Sequence, residues 1–116
     1  MRRSDRDRLE DALVAAQAAV AFGDGFTPQG LEADARTLAA INYELLVLGE
    51  AVAGLSPELL NRAPDLPWAQ MRALRKVVAH EYFRVNVGVL HQVVTMDLPA
   101  LIPEFARLIA EVEPEA

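Results

Sequence analysis

The sequence predicts an all-α fold: an antiparallel helical bundle of about five to six helices, built as a single domain over residues 1–116. Three observations predict it. Hydrophobic residues make up 53% of the chain and aromatics only 6%, so the core is aliphatic and dominated by Ala, Leu and Val, of which Ala and Leu favour helix. Apolar residues recur at steps of three and four along most of the chain. The breaks between these runs are short and carry Gly, Pro and capping residues.

Leu9, Leu13, Ala16 and Val20, with Ala12 and Ala19 beside them, predict a first helix over residues 5–22. GDGFTPQG, Gly23–Gly30, is expected to be a loop. Leu38, Ile41, Leu45, Leu48, Val52 and Leu55 form the clearest helical seam in the chain. Its length makes a homodimer plausible, since one protomer is not obviously able to cover it. Ser56-Pro57-Glu58 restarts the chain as a short helix: Ser56 caps, Pro57 suits the first helical position, and Glu58 complements the positive helix end. Asp65-Leu66-Pro67-Trp68 and Asp97-Leu98-Pro99-Ala100 repeat that grammar, and each is expected to start a helix behind an acidic cap. The first of these helices should run from Trp68 to about Phe83. Asn86 is expected to cap another over residues 86–96. The last carries Leu98, Leu101, Ile102, Phe105, Leu108, Ile109 and Val112 on one stripe. The β-branched run Val93–Met96 is too short, and too firmly set between helical periods, to compete as a strand.

Composition also narrows the chemistry. There is no cysteine, which excludes disulfides, thiolate metal sites and a cysteine nucleophile, and two histidines alone cannot build a histidine-rich zinc centre. MRRSDRDRLED lacks the long apolar stretch of a signal peptide or a membrane span, so a cytoplasmic protein without membrane association is expected. A net charge of −6 argues against non-specific coating of nucleic acid, which relies on neutralising phosphates. Within that acidic chain, the window from Arg72 to Arg84 is basic: Arg72, Arg75, Lys76 and Arg84 stand against Glu81 alone. On charge alone it reads first as the solvated face of a helix, with a local site as the second reading.

That window contains RKVVAHEY, Arg75–Tyr82, the expected functional centre. Arg75 and His80 are five residues apart, about 140° around a regular helix. They can act together only if the helix ends or distorts near His80, or if a second protomer brings its own copy across. Arg75 and Tyr82, seven apart, nearly share a face. Each residue also has a plainer role open to it: Arg75 as an ion-pair partner, His80 as a surface or cap residue, Tyr82 as an interface aromatic. Glu50, the one acid in an apolar stretch, is either a solvated position or a group that orients Arg75.

Over nearly its whole length the chain resembles the HepT-like family of HEPN-domain proteins. The resemblance rests on Arg6-Asp7-Arg8-Leu9-Glu10-Asp11-Ala12-Leu13, on Asp34, Arg36 and Thr37 as D-x-R-T, and on Gly49-Glu50-Ala51. It continues through Leu66-Pro67-Trp68, the R-x4-H-x-Y set Arg75, His80 and Tyr82, and the Asp97-Leu98-Pro99 turn. It implies a HEPN-type bundle and a metal-independent endoribonuclease toxin, needing no cofactor, with its site in a homodimer cleft. In that scheme His80 is the general acid or base, Arg75 holds the scissile phosphate, and Arg72, Lys76 and Arg84 support RNA binding. The implied partner is a minimal nucleotidyltransferase antitoxin that transfers AMP to Tyr82 and so blocks the phosphate site. Lys76 stands where such proteins usually have asparagine, Tyr43 where arginine is common, and His91, read as a packing or surface residue, where tryptophan is frequent. Two further readings stay open. One is a non-catalytic helical dimer that binds the nucleotidyltransferase. The other is a nucleotide-binding module, which GDGFTPQG does not support because it lacks the lysine and spacing of a P-loop.

Overall fold

Ser4 begins the fold by closing a capping box: its hydroxyl accepts from Asp7 N at 3.0 Å, and the Asp7 carboxylate accepts from Ser4 N at 3.2 Å. The structure is a computed structural model and describes residues 3–112. Helix α1 spans Asp5–Gly23, α2 Pro28–Glu32, α3 Ala35–Ala53, α4 Pro57–Leu60, α5 Trp68–Ala79, α6 Tyr82–Val85, α7 Val87–Gln92 and α8 Leu98–Glu111. A π-helical turn, Val93–Asp97, joins α7 to α8. Every regular element among the described residues is helical, as the periodicity predicts. No helix among them is long and apolar enough to cross a membrane.

The long helices pack in the order α8, α1, α3, α5, with α1 touching both α8 and α3, and α3 touching both α1 and α5. Because α1 is flanked on two sides, its buried face is made of small residues: Ala12, Ala15, Ala16 and Ala19 are buried beside Leu9, whereas Leu13 and Val20 are only half-buried. The predicted stripe is therefore rotated toward the alanines, whose short side chains admit two neighbouring helices. The α3 seam buries Ile41, Leu45, Leu48 and Val52 fully, while Leu38 is half-buried and Leu55 lies past the end of the helix. Truncating one of its leucines to alanine costs about 2–5 kcal/mol. These residues are covered within the chain, by α1 and α5, so the length of the seam supplies no argument for a dimer.

Several expected boundaries move. Of GDGFTPQG, Gly23 still belongs to α1 and the loop runs only from Asp24 to Thr27, whose hydroxyl accepts from Gly30 N at 3.0 Å and starts α2 with Pro28 in its first turn. Ser56 caps α4 as expected, accepting from Leu59 N at 3.2 Å. The helix predicted to reach Phe83 ends instead at Ala79. Asp65 does not cap α5: Pro67 occupies the cap position, and no side chain bonds there. Asn86 precedes α7 without capping it, its amide donating instead to Tyr82 O at 3.1 Å.

Asp97 is likewise no cap. It is helical, and the two predicted C-terminal helices are one unbroken helical path through the π turn. The cause is local. Pro99 has no N–H to donate to Thr95 or Val94, Leu98 N bonds Val93 O five residues back, and the Thr95 hydroxyl donates to His91 O at 2.6 Å. The helix widens there rather than stopping.

Several motif residues near the N-terminus prove structural. Asp5 accepts from Ser56 N at 2.9 Å and from its hydroxyl, tying α1 to α4. Arg6 donates to Val112 O at 3.1 Å and Ile109 O at 3.4 Å, placing a cation at the negative end of α8. The Arg8 guanidinium lies against Gly54, where any side chain would displace it. Asp34 accepts from Thr37 N at 3.0 Å and caps α3, which accounts for the D-x-R-T segment.

Candidate active site at the end of α5

Helix α5 touches α3 along one side and meets α8 through Trp68, whose ring centroid lies 6.5 Å from that of Phe105. Trp68 and Met71 are buried, and beyond them no residue of α5 is. Its C-terminal half therefore lies on the surface, with α3 behind it. There Gly49 lets the two helices approach closely: a Cβ at position 49 would stand 3.2 Å from Met71 O and 3.1 Å from Arg75 N. Arg75 is thus fixed by its backbone against α3. Its guanidinium reaches the Glu50 carboxylate at 3.8 Å, with the side chains 41% and 62% exposed. At that exposure the pair contributes about 0–1 kcal/mol to the fold.

Helix α5 ends between Arg75 and His80. His80 is its C-cap, with φ −90° and ψ 11°, and Glu81 follows in the left-handed region at φ 56°. Glu81 is the only non-glycine with positive φ among the described residues. A left-handed residue after a helix C-cap is common, but glycine usually fills it, and a side chain there costs roughly 1–2 kcal/mol. The turn is held by His80 N to Lys76 O at 2.9 Å, Glu81 N to Val78 O at 3.0 Å, and Arg84 N to Glu81 O at 3.0 Å. Buried Phe83 anchors α6 to the core, while Tyr82, 43% exposed, stands at its start with its ring 5.6 Å from that of Phe83. His80 is exposed as well.

The cations divide. Arg72, Lys76 and His80 are exposed at four-residue steps along one face of α5, whereas Arg75 sits a face away toward α3. Arg84 pairs with Glu81 at 2.7 Å, so its charge is offset locally. Among the described residues no hydrogen bond joins Arg75, His80 and Tyr82 to one another, and no cluster of three or more His, Asp or Glu residues gathers to hold a metal. His91, read as a packing or surface residue, packs: its Nε2 lies 2.9 Å from Phe26 O. Tyr43 figures in the sequence reading only as a departure from the usual arginine, with no role. It is 63% exposed on α3, off the buried seam, and lines a groove with Val78, Glu81 and Arg84. Its position two residues after Ile41, away from the seam, was the available signal.

The fold and this surface define an all-α protein with a half-buried Arg on α5 and an exposed His and Tyr at the helix break that follows. The family described as Ribonuclease HepT-like matches residues 9–108, and the chain belongs to that family. It is 32% identical to "Probable ribonuclease HepT" of Thermococcus cleftensis over 93% of this chain and 98% of that one. It is 31% identical, over 92% of this chain and 88% of the other, to a protein of Methanocaldococcus jannaschii whose name proposes an RNase. No solved structure matches the chain significantly.

Proposed function

We propose that the chain is a metal-independent endoribonuclease whose reacting groups are Arg75 and His80. Membership of a ribonuclease family gives the activity class. The observation that supports the site assignment is the end of α5 at Ala79, which leaves His80 exposed as the C-cap, one face away from Arg75, so that a second protomer's copy is needed to complete the pair. His80 takes the proton from a ribose 2′-hydroxyl. The 2′-oxygen attacks phosphorus, the bond from phosphorus to the 5′-oxygen breaks, and that oxygen leaves with a proton from the second protomer's imidazole or from water. The products are a 2′,3′-cyclic phosphate and a 5′-hydroxyl. Arg75 holds the phosphate and offsets its growing charge. Arg72 and Lys76, on the His80 face, hold the neighbouring backbone.

A homodimer completes this reading. An apolar groove of 430 Å³ between α5 and the π turn, lined by Met71, Leu74, Met96 and Leu101, offers a surface for a second copy. The chain would then be the toxin of a pair whose minimal nucleotidyltransferase forms a bond from the Tyr82 phenolic oxygen to the α-phosphorus of ATP and releases pyrophosphate. The exposure of Tyr82 supports that role, and the adduct's charge beside Arg75 and His80 would exclude RNA.

The test is cleavage of a labelled RNA in chelator by wild type, Arg75→Ala and His80→Ala. Cyclic phosphate ends from wild type and loss of at least a hundredfold in both variants are expected. Equal cleavage by all three would overturn the site. The pairing of Arg75 and Arg84 with carboxylates favours a second reading, a non-catalytic dimer that binds the nucleotidyltransferase. It predicts a stable complex and no cleavage. Intact mass after co-expression with that partner reports whether Tyr82 carries AMP.

A further inference from the structure

A second groove, of 580 Å³, lies between the N-terminal half of α3 and the α5–α6 turn, and Glu32, Leu38, Asn42, Tyr43, Glu81 and Arg84 line it. Its volume is that of a small-ligand site. Tyr43 contributes an aromatic ring that is 63% exposed. The Asn42 amide nitrogen donates to Leu38 O at 3.0 Å, which leaves its oxygen as an acceptor with no partner among the described residues. Glu32 adds a carboxylate that forms no ion pair among the described residues. Arg84 is matched by Glu81 at 2.7 Å. The groove therefore offers a stacking face and acceptors, with no net positive charge. That combination repels a phosphate and suits the donor edge of a base. Val78 and Glu81, which also line it, bracket His80 in sequence.

We infer that this groove is a nucleobase subsite. A base next to the scissile phosphate stacks on Tyr43 and directs the donors of its Watson–Crick edge to Glu32 and Asn42. Single-stranded RNA is commonly read this way, by aromatic stacking with hydrogen bonds to base edges. Guanine fits best, because its ring N–H and exocyclic amine present two parallel donors to one carboxylate, whereas uracil presents a single donor. The inference rests on RNA being the substrate, and it adds the residues that choose where the strand is cut.

The test measures fluorescence anisotropy of labelled RNA hexamers differing only in a central G or U. The full-length protein is used in a His80→Ala background, alone and with Tyr43→Ala, Tyr43→Phe or Glu32→Gln. Circular dichroism confirms folding, which the exposure of Tyr43 should leave intact. Tyr43→Ala is expected to weaken binding of the G hexamer about 5- to 150-fold, the measured range for one base–aromatic stack. Tyr43→Phe should bind as the parent does, and Glu32→Gln should abolish the preference for G over U. Unchanged affinity in Tyr43→Ala, equal weakening in Tyr43→Phe, or no RNA binding at all would overturn the subsite. Cleavage by the wild-type protein is scored in parallel. If it cleaves while Tyr43→Ala binds normally, only the subsite falls. If it does not cleave while binding depends on Tyr43, the nuclease reading falls and the subsite stands.

Discussion

Gly49 of α3 lies so close to Arg75 of α5 that a Cβ on residue 49 would stand 2.9 Å from Arg75 Cγ and 3.1 Å from its backbone nitrogen. The arginine proposed to hold phosphate is thus positioned by a missing side chain on the neighbouring helix. Two effects compete in Gly49→Ala. Alanine favours the helix by about 0.5–1 kcal/mol, while overpacking typically costs about 1–3 kcal/mol. Two of the three nearest atoms are backbone and cannot swing aside, so the second effect wins. The variant should lose about 1 kcal/mol, read as a lower denaturation midpoint, and should cleave RNA more slowly than that loss explains. A variant as stable as wild type would show that α5 slides freely on α3.

Glu50 tests the opposite balance. Its contact with Arg75 is long, at 3.8 Å, and both side chains are well exposed. Glu50→Gln should therefore change stability by less than about 0.5 kcal/mol. If the carboxylate orients the guanidinium, cleavage should fall several-fold and show a weaker dependence on salt. A large stability loss would mean that the pair is structural.

Glu81 holds a backbone conformation at φ 56° that a side chain disfavours, immediately between His80 and Tyr82. Glu81→Gly relieves the strain but gives up the exposed pair with Arg84 at 2.7 Å. Relief of roughly 1–2 kcal/mol outweighs a surface ion pair, so the variant should be more stable by about 1 kcal/mol in chemical denaturation. Destabilisation would show that the carboxylate, not the backbone, fixes this turn.

Much of the fold was legible because periodicity and capping are local. The α3 seam, the Ser56 cap and the C-terminal stripe read directly from spacing. Thr27-Pro28 used the same cap-and-proline grammar as Ser56-Pro57, but the glycines around it masked a helix of a turn and a half. The π turn was hidden for a different reason. Pro99 looks like a start signal, and only the surrounding hydrogen bonds reveal that the helix widens instead of restarting. At the site, the angular conflict between Arg75 and His80 pointed to a break, and Glu81 supplies it. Nothing local marks Glu81 as left-handed, since glycine is the residue expected there. The approach at Gly49 and the groove at Tyr43 depend on which helices become neighbours, and that is settled by packing.

Two caps carry a pH prediction. Asp7 has its pKa lowered first by the hydrogen bond from Ser4 N and then by the Ser4 hydroxyl. Asp34 is lowered first by the bond from Thr37 N and then by the Thr37 side chain. A carboxylate whose folded pKa lies below its unfolded value of about 3.9 binds fewer protons in the folded state near that pH. Its stabilisation is therefore complete above the unfolded pKa and is lost as pH falls through the folded one. The thermal midpoint should accordingly be flat near neutrality on account of these groups and decline below about pH 4. Asp34→Asn separates charge from capping, because asparagine caps about as well as aspartate but does not titrate. It should leave the midpoint near pH 7 almost unchanged and make the acid decline shallower. An acid limb identical to that of wild type would remove the Asp34 carboxylate from the linkage and leave its cap as an uncharged contact.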